Sequence, residues 1–517
     1  MSASSAAKRL SNVRQLLRER NLDALLVPHT DPHSSEYFSP RFERRQWLTN
    51  FTGSAGDALV SMEDAKLWTD GRYWTQATRE LFPTWELVQD GSPGVKSLDE
   101  FLASADSFPS HETLRLGVDP FLISSKRWKS LNALPHIQLH ATKDNVVDCA
   151  GFALDFDGST TSEEQMIQVL DERFSGKSAA AKIEETRAVL KSMGANSLLV
   201  STLDDVAWLC NLRGGDVPYT PLFLGYVYLE MNCVTLFVDA CKLSDSASVY
   251  LERQGVNIAE YASLDSFLRK RNTPATKICL DVSSSSFAIT ESLNDCTILE
   301  QPNPTLKLKS IKNDVELQGV RACHIRDGYA KTKFLFWLEE AILSGEVVDE
   351  CAAADKLEEY RKSGKHFQGL SFPSISGCDE NGAVLHYHAL KESARVLTKD
   401  SMYLIDSGAQ YLDGTTDVTR TIHFGTPSDY QKECYTRVLK GFIAVHRQKF
   451  PAGTTIGPQL DGLARHSLWE AGLDFAHVRV FSPFFIIATN AFIFSFRVAS
   501  LAIRVSSRSF KRGPATA

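Results

Sequence analysis

Residues 404–425 read LIDSGAQYLDGTTDVTRTIHFG, placing Asp406, Asp413 and Asp417 among small and β-branched neighbours. A carboxylate in an apolar strand is costly to bury unless a cation or hydrogen-bond donors meet it. Two strand carboxylates flanked by hydroxyls are hard oxygen donors, suited to Mg, Mn or Zn-type ions in paired sites. The alternative chemistry is none: acids that face solvent or pair with Arg420. Spacing alone leaves both open.

The segment has the pattern of a β-hairpin, with strand 403–411, a turn at Asp413-Gly414 and strand 415–423. Asp413 is then the turn residue. A plain two-residue turn there sets Asp417 opposite Gln410 rather than Asp406, so a bulge or bend is needed to bring the two acids together. A helix is expected at about 428–449, and strands in FPSISGCDENGAVLHYHAL, which carries His386 and His388.

Upstream, the chain repeats itself. VRQLLRERNLDALLVP from Val13 is echoed by TRAVLKSMGANSLLVS from Thr186, and WLTN at 47–50 by WLCN at 208–211. The first copy carries an insert, HTDPHSSEYFSPRFERRQ, between those landmarks. Two related α/β domains are expected, 1–150 and 151–308, with the boundary in the Gly/Ser/Thr-rich stretch 151–165. EQPNPTLKLKS reads as a Pro-punctuated linker, and SIKNDVELQGVRACHIRDGYAKTKFLFWLEEAI as a long helix capped by Asn313. A mixed α+β domain then runs over 309–477.

With 517 residues and a net charge of −7, the chain has the balance of a multidomain globular protein, and nucleic acid is not the expected partner. Its ten cysteines include no C-x-x-C pair and read as reduced thiols. The N-terminus turns straight into an amphipathic helix without an apolar h-region, so cytoplasm is the expected location.

DSGAQYLDGTTDVTRT resembles the metal-ligand segment of aminopeptidase P, the Xaa-Pro aminopeptidases of the creatinase or pita-bread class. NGAVLHYHA, WTDGRYWTQA, GSAG at 53–56 and WLCNLRGGDVPYTPLF carry the same resemblance, which runs from about residue 8 to His477. The fold it implies is two tandem creatinase-N-like α/β domains followed by a partial pita-bread catalytic domain. The activity it implies is release of the N-terminal residue from small peptides with proline second, by water activated at a dinuclear metal centre. That centre is usually manganese, with Zn or Co as other possibilities, in a cytosolic homodimer with no membrane association.

Residue by residue, the resemblance makes Asp406 a terminal ligand and Asp417 a bridging one. It gives His386 a catalytic place beside the scissile bond, and gives Arg72 and His477 substrate contacts. His386 and Arg72 each have a plainer alternative. His386 can be a hydrogen-bonded strand histidine, with His388 structural two residues on, and Arg72 can pair with Asp70 in a turn.

After GLDFAH the resemblance stops. The metal-binding histidine and both glutamates that the family places beyond Asp417 have no counterpart here. Residues 478–517 hold no Asp, Glu or His, six Arg or Lys, and a dense Phe/Ile run. The uncharged stretch 480–496 is short of the ~20 residues of a spanning helix and contains Pro483 and Asn490. This tail reads as aberrant, and the polypeptide as written is expected to have little or no peptidase activity. The other functional class that the scaffold supports is a non-catalytic binding protein.

Overall fold

The computed structural model describes residues 3–104, 108, 113–155, 166–451 and 457–475. The segment 156–165, His477 and the tail 478–517 lie outside the described residues. Two compact units emerge, Met1–His324 with Gln410–Thr415, and Ile325–Ala409 with Thr416–Ala517.

The first unit contains two six-stranded sheets of one topology. Helix α1 (Ala3–Glu19) leads into β1 (Ala24–Val27), followed by β2 (Asp57–Ser61), β3 (Ala65–Thr69), β4 (Glu86–Gln89), β5 (Leu114–Val118) and β6 (Ile137–Ala141). Their order is β4-β3-β2-β1-β5-β6. β2 is antiparallel to both neighbours, while β5 and β6 continue parallel to β1.

Helix α2 (Ala179–Met193) leads in the same way into β7 (Ser197–Val200). It is followed by β8 (Gly225–Glu230), β9 (Val234–Val238), β10 (Asn257–Glu260), β11 (Lys277–Leu280) and β12 (Thr297–Glu300). The order, β10-β9-β8-β7-β11-β12, is the first sheet again. Both central strands are wholly buried, as continuous apolar runs at a sheet centre must be.

The repeated tetrapeptide has a local cause. WLTN and WLCN each end a short helix on an asparagine in the left-handed region, Asn50 at φ 67° and Asn211 at φ 52°. Asparagine tolerates that conformation better than most residues and closes the helix with its own N–H.

The insert joins the two sheet domains. His33 Nδ1 lies 2.7 Å from Ser201 O and Nε2 lies 2.8 Å from Tyr261 Oη. Phe38 and Phe42 pack with Leu203, Val217 and Leu224.

The segment expected as a linker is partly helical. Pro304–Ser310 forms a short helix capped by Asn303, because Pro at the first turn sacrifices no hydrogen bond. The long helix α3 (Asp314–Ser344) follows, capped by Asn313. Asn313 Oδ1 accepts from Glu316 N at 3.0 Å, and Glu316 Oε2 accepts from Asn313 N at 2.9 Å.

In the second unit, α4 (Glu350–Lys362) precedes β13 (Ile375–Cys378), β14 (Met402–Ser407) and β15 (Val418–His423), an antiparallel sheet with β14 at its centre. Phe334, Leu338 and Ile342 of α3 pack with Leu357, Tyr403 and Ile405 to form its core. Helix α5 (Asp429–His446) starts at a Ser428–Gln431 capping box, and α6 (Gly457–Trp469) packs against it. Among the described residues no helix is long and apolar enough to cross a membrane.

Candidate metal centre and its supports

The register of the hairpin places the two acids. Tyr411 pairs with Gly414, so the turn residues are Leu412 and Asp413, one position earlier than DG patterning predicts. The same register holds on the other side of the hairpin gap, where Ser407 pairs with Val418 and Asp406 with Thr419. Carried across the gap, it sets Asp417 opposite Gly408.

Residues directly opposite share a face, so Asp406, Thr419 and Asp417 lie on one side of the ribbon. The two carboxylates are diagonal neighbours, a relation in which Cβ atoms sit roughly 7 Å apart. The bulge expected from sequence is not needed. Gly408 is required because a Cβ there would come within 1.9 Å of Thr416 O and 2.2 Å of Ser371 Oγ. Asp413 is a turn residue, and the hairpin tip packs on the start of α3, where a Cβ on Gly319 would meet Asp413 O at 2.3 Å.

Asp406 is 1 % exposed, and Asp417 is half-buried. Thr419 Oγ1, beside Asp406, is buried and has no hydrogen-bond partner among the described residues. Arg420 is exposed, opposite Ile405 on the alternate face, and donates to Thr419 O at 2.8 Å.

Under the ribbon lies Lys331 of α3, which the sequence reading did not single out. It is 4 % exposed and donates to Ile405 O at 3.3 Å, Ser407 Oγ at 3.2 Å and Val418 O. Those acceptors bracket Asp406 on one strand and follow Asp417 on the other. Burial, helped by the Arg361 guanidinium, brings the Lys331 ammonium down to about 7, while Asp406 and Asp327 pull the other way. Arg361 is fully buried and paired bidentately with Asp327 at 2.8 and 3.0 Å.

His386 is not on a strand. A short 3-10 helix (Asp379–Ala383) ends before it, and it stands half-buried in the following turn with φ 55°. Left-handed backbone is uncommon for a non-glycine residue and persists where the surroundings impose it. The loop on either side of His386 is held by Glu350, 0 % exposed at the start of α4. Its carboxylate accepts from Cys378 N at 2.6 Å, Asn381 Nδ2 at 3.0 Å, Tyr387 Oη at 2.8 Å and Arg395 N at 3.0 Å. One buried carboxylate thus ties both sides of the loop that carries His386. Burial and the adjoining Glu350 raise the Tyr387 phenol above its ordinary range. His388, two residues on, is exposed.

Arg72 belongs to the first unit and pairs with its turn neighbour. Its Nε and Nη2 reach Asp70 at 2.9 and 2.7 Å, and its backbone N–H meets the same carboxylate at 3.0 Å. His477 lies outside the described residues.

Two diagonal carboxylates suit a hard cation in donor type, and an orphaned hydroxyl stands beside them. In number they fall short: among the described residues no group of three or more His, Cys, Asp or Glu is placed to hold a metal ion. The donors present do not make up a ligand set for two ions.

Comparison with known proteins supplies the context. Residues 9–150 and 159–316 each match a model of the creatinase/prolidase N-terminal domain, and residues 318–483 match metallopeptidase family M24. A "Probable Xaa-Pro aminopeptidase P" from Botryotinia fuckeliana is 39 % identical over 490 residues, which cover 92 % of this chain and 73 % of that protein. "Xaa-Pro aminopeptidase 1" of Dictyostelium discoideum is 38 % identical over 480 residues, covering 91 % of this chain and 75 % of its own. The crystal structure of X-prolyl aminopeptidase from Caenorhabditis elegans, described as a cytosolic enzyme with a di-nuclear active site, superposes with TM-score 0.84 at 32 % identity. That match covers 91 % of this chain and 78 % of the other.

Proposed function

The chain belongs to the Xaa-Pro aminopeptidase P family, with two creatinase/prolidase N-terminal domains ahead of an M24 metallopeptidase domain, and on that premise we propose that it acts on small peptides with proline second, freeing the N-terminal residue. The observation that carries the reading is the pair Asp406 and Asp417 on one face of the β14–β15 ribbon, a costly arrangement that only a cation or donors make stable.

In this reading Asp406 and Asp417 are metal ligands, and the ions are manganese, with zinc or cobalt as substitutes. His386 stands beside the scissile bond, and Arg72 and His477 contact the peptide. An Xaa-Pro bond is a tertiary amide without an N–H, so selectivity comes from a pocket shaped to the proline ring and from recognition of the free amine. Arg72 is held by Asp70 in the free chain and keeps its positive charge, since that carboxylate raises its pKa further. The domains run 1–150, 151–308 and 309–477, and a cytoplasmic homodimer belongs to the same reading.

Among the described residues the donor set is the two carboxylates, and two carboxylates do not hold two divalent ions tightly. Incubated with manganese and an Arg-Pro-Pro peptide, this chain is expected to release little or no arginine. Robust turnover would overturn the ligand count on which this expectation rests.

A further inference from the structure

Each of the two sheet domains forms a crevice at the same place, and only one of the two is filled. In each copy the chain leaves its first strand toward one side of the sheet and later returns to pair on the other side, β5 beside β1 and β11 beside β7. Where the strand order reverses in this way, the loops beyond the carboxyl ends diverge and leave the position where open α/β sheets bind ligands. In the second domain the insert occupies it. His33 reaches Ser201 O, just past β7, and Ser34 Oγ donates to Ser284 O at 2.8 Å, past β11. In the first domain the position is open, as a cavity of about 490 Å³, which is the size of a small-molecule site.

Its walls come from the segments after three parallel strands. Pro32 and Phe42 follow β1, Asp119 and Phe121 follow β5, and Lys143 and Asp144 follow β6. Phe121 is 48 % exposed, a large apolar side chain left open at the rim. Arg44, also in the wall, is committed to Asp148 by two bonds of 2.7 and 2.8 Å. That leaves Asp119, Asp144 and Lys143, none of which has an ion-pair partner among the described residues.

Asp119 has neutral donors only. Its Oδ1 accepts from Phe121 N at 2.9 Å and its Oδ2 from Asn145 Nδ2 at 2.7 Å. Burial pushes its carboxyl above the ordinary range, as for a charge held without a counter-charge. Asp281, which follows β11, closes the same turn onto Ser283 N at 2.9 Å. The turn therefore accounts for an aspartate in both copies, but not for the open crevice in front of Asp119.

We propose that the cavity beyond β1, β5 and β6 binds a small organic cation, a primary amine or guanidinium on a short apolar stem. The cation meets Asp119 and Asp144, and the stem lies against Phe42 and Phe121. Carboxylates outnumber cations in the wall by one, Asp119, Asp144 and Asp148 against Arg44 and Lys143, which matches a single positive charge. A metal ion is the poorer occupant, since no group of three His, Cys, Asp or Glu among the described residues is placed to hold one. Aromatic walls favour an organic cation, and the Phe42 ring already draws the guanidinium groups of Arg41 and Arg44 to 5.3 and 5.6 Å. The site stands apart from the proposed peptidase chemistry.

Titration calorimetry of the full chain with n-butylguanidine tests it, beside n-butylurea, which has the same shape and no charge. Saturable one-to-one binding of n-butylguanidine is expected, at least about 10-fold tighter than n-butylurea. Asp119→Asn keeps an oxygen for the Phe121 N–H, and so the turn, but loses the charge and should raise the dissociation constant at least about 10-fold. Phe121→Ser and Asp144→Asn alter exposed side chains, and each should weaken binding about threefold or more. Asp406→Asn, in the other unit, should leave the titration unchanged. No saturation below about 20 mM overturns the proposal, as does equal affinity for the uncharged analogue. So does an affinity that Asp119→Asn leaves unchanged or, should that variant unfold, one that both Phe121→Ser and Asp144→Asn leave unchanged. Binding lost with Asp406→Asn also overturns it, since the cation would then sit on the metal-site carboxylates.

Discussion

Replacing Lys331 by methionine should remove a pH dependence of stability that the folded chain carries in one side chain. The unfolded lysine titrates at 10.5 and the folded one at about 7. Between those values the unfolded state binds a proton that the folded state has released, so stability rises with pH across the window and is flat below it. The slope is about 1.4 kcal/mol per pH unit, or roughly 3 kcal/mol between pH 7.5 and 10. At 4 % exposure Lys331 needs no discount for solvent screening. The charged groups that face it, Arg361, Asp406, Asp327 and Arg420, are present in both chains and cancel in the comparison. Urea denaturation of the second unit, in chelator and at half-unit steps of pH, gives the difference in unfolding free energy between wild type and Lys331→Met. That difference should climb in favour of the wild type by roughly 3 kcal/mol as pH goes from 7.5 to 10. A difference constant with pH would show that Lys331 keeps its proton in the fold, and would refute the account of how it sits beneath the hairpin.

Glu350→Ala leaves the buried Cys378 N–H and the part-buried donors of Asn381, Tyr387 and Arg395 without their acceptor, and should destabilise the second unit by about 3 kcal/mol in urea melts. Tyr387→Phe removes one of those bonds and should cost about 1 kcal/mol, with faster hydrogen exchange confined to residues 379–396. Gly408→Ala should prevent the native hairpin from closing, seen as loss of exchange protection across 402–423, because the added methyl meets backbone at 1.9 Å. Asp327→Asn strips the charge partner from a guanidinium with 0 % side-chain exposure, and should cost about 3 to 5 kcal/mol by the same melts.

The duplicated sheets were legible because their cause is local. An apolar strand run, a helix and an asparagine in left-handed backbone recur in the same order, and each leaves a mark in the sequence. Asp406 and Asp417 stood out for a similar reason, since acids are rare in strands. Their relation to each other was misread by one turn position. Asp413-Gly414 is the stronger turn signal, yet the chain turns at Leu412-Asp413, where packing of the tip on α3 decides between two adjacent registers. The segment that carries His386 has the composition of a strand, whereas hydrogen bonds to Glu350 hold Cys378 and Tyr387 on either side of a turn. Glu350, Lys331 and the Asp327–Arg361 pair could not be found from sequence. On an amphipathic helix a buried charge has the same letter as a solvated one, and only the partner brought by the fold distinguishes them.

The proposed function makes Asp406 and Asp417 the carboxylate half of a metal-dependent Xaa-Pro peptidase centre. Its most direct test replaces residues 478–517 by the corresponding C-terminal segment of the Dictyostelium relative and measures manganese-dependent arginine release from Arg-Pro-Pro. The chimera should turn over at least about 1,000-fold faster than the 517-residue chain, a difference of ~4 kcal/mol in barrier. Asp406→Asn and Asp417→Asn should each abolish the gain while leaving the chimera folded. A folded chimera that stays inactive, or one whose activity survives both substitutions, would contradict the claim.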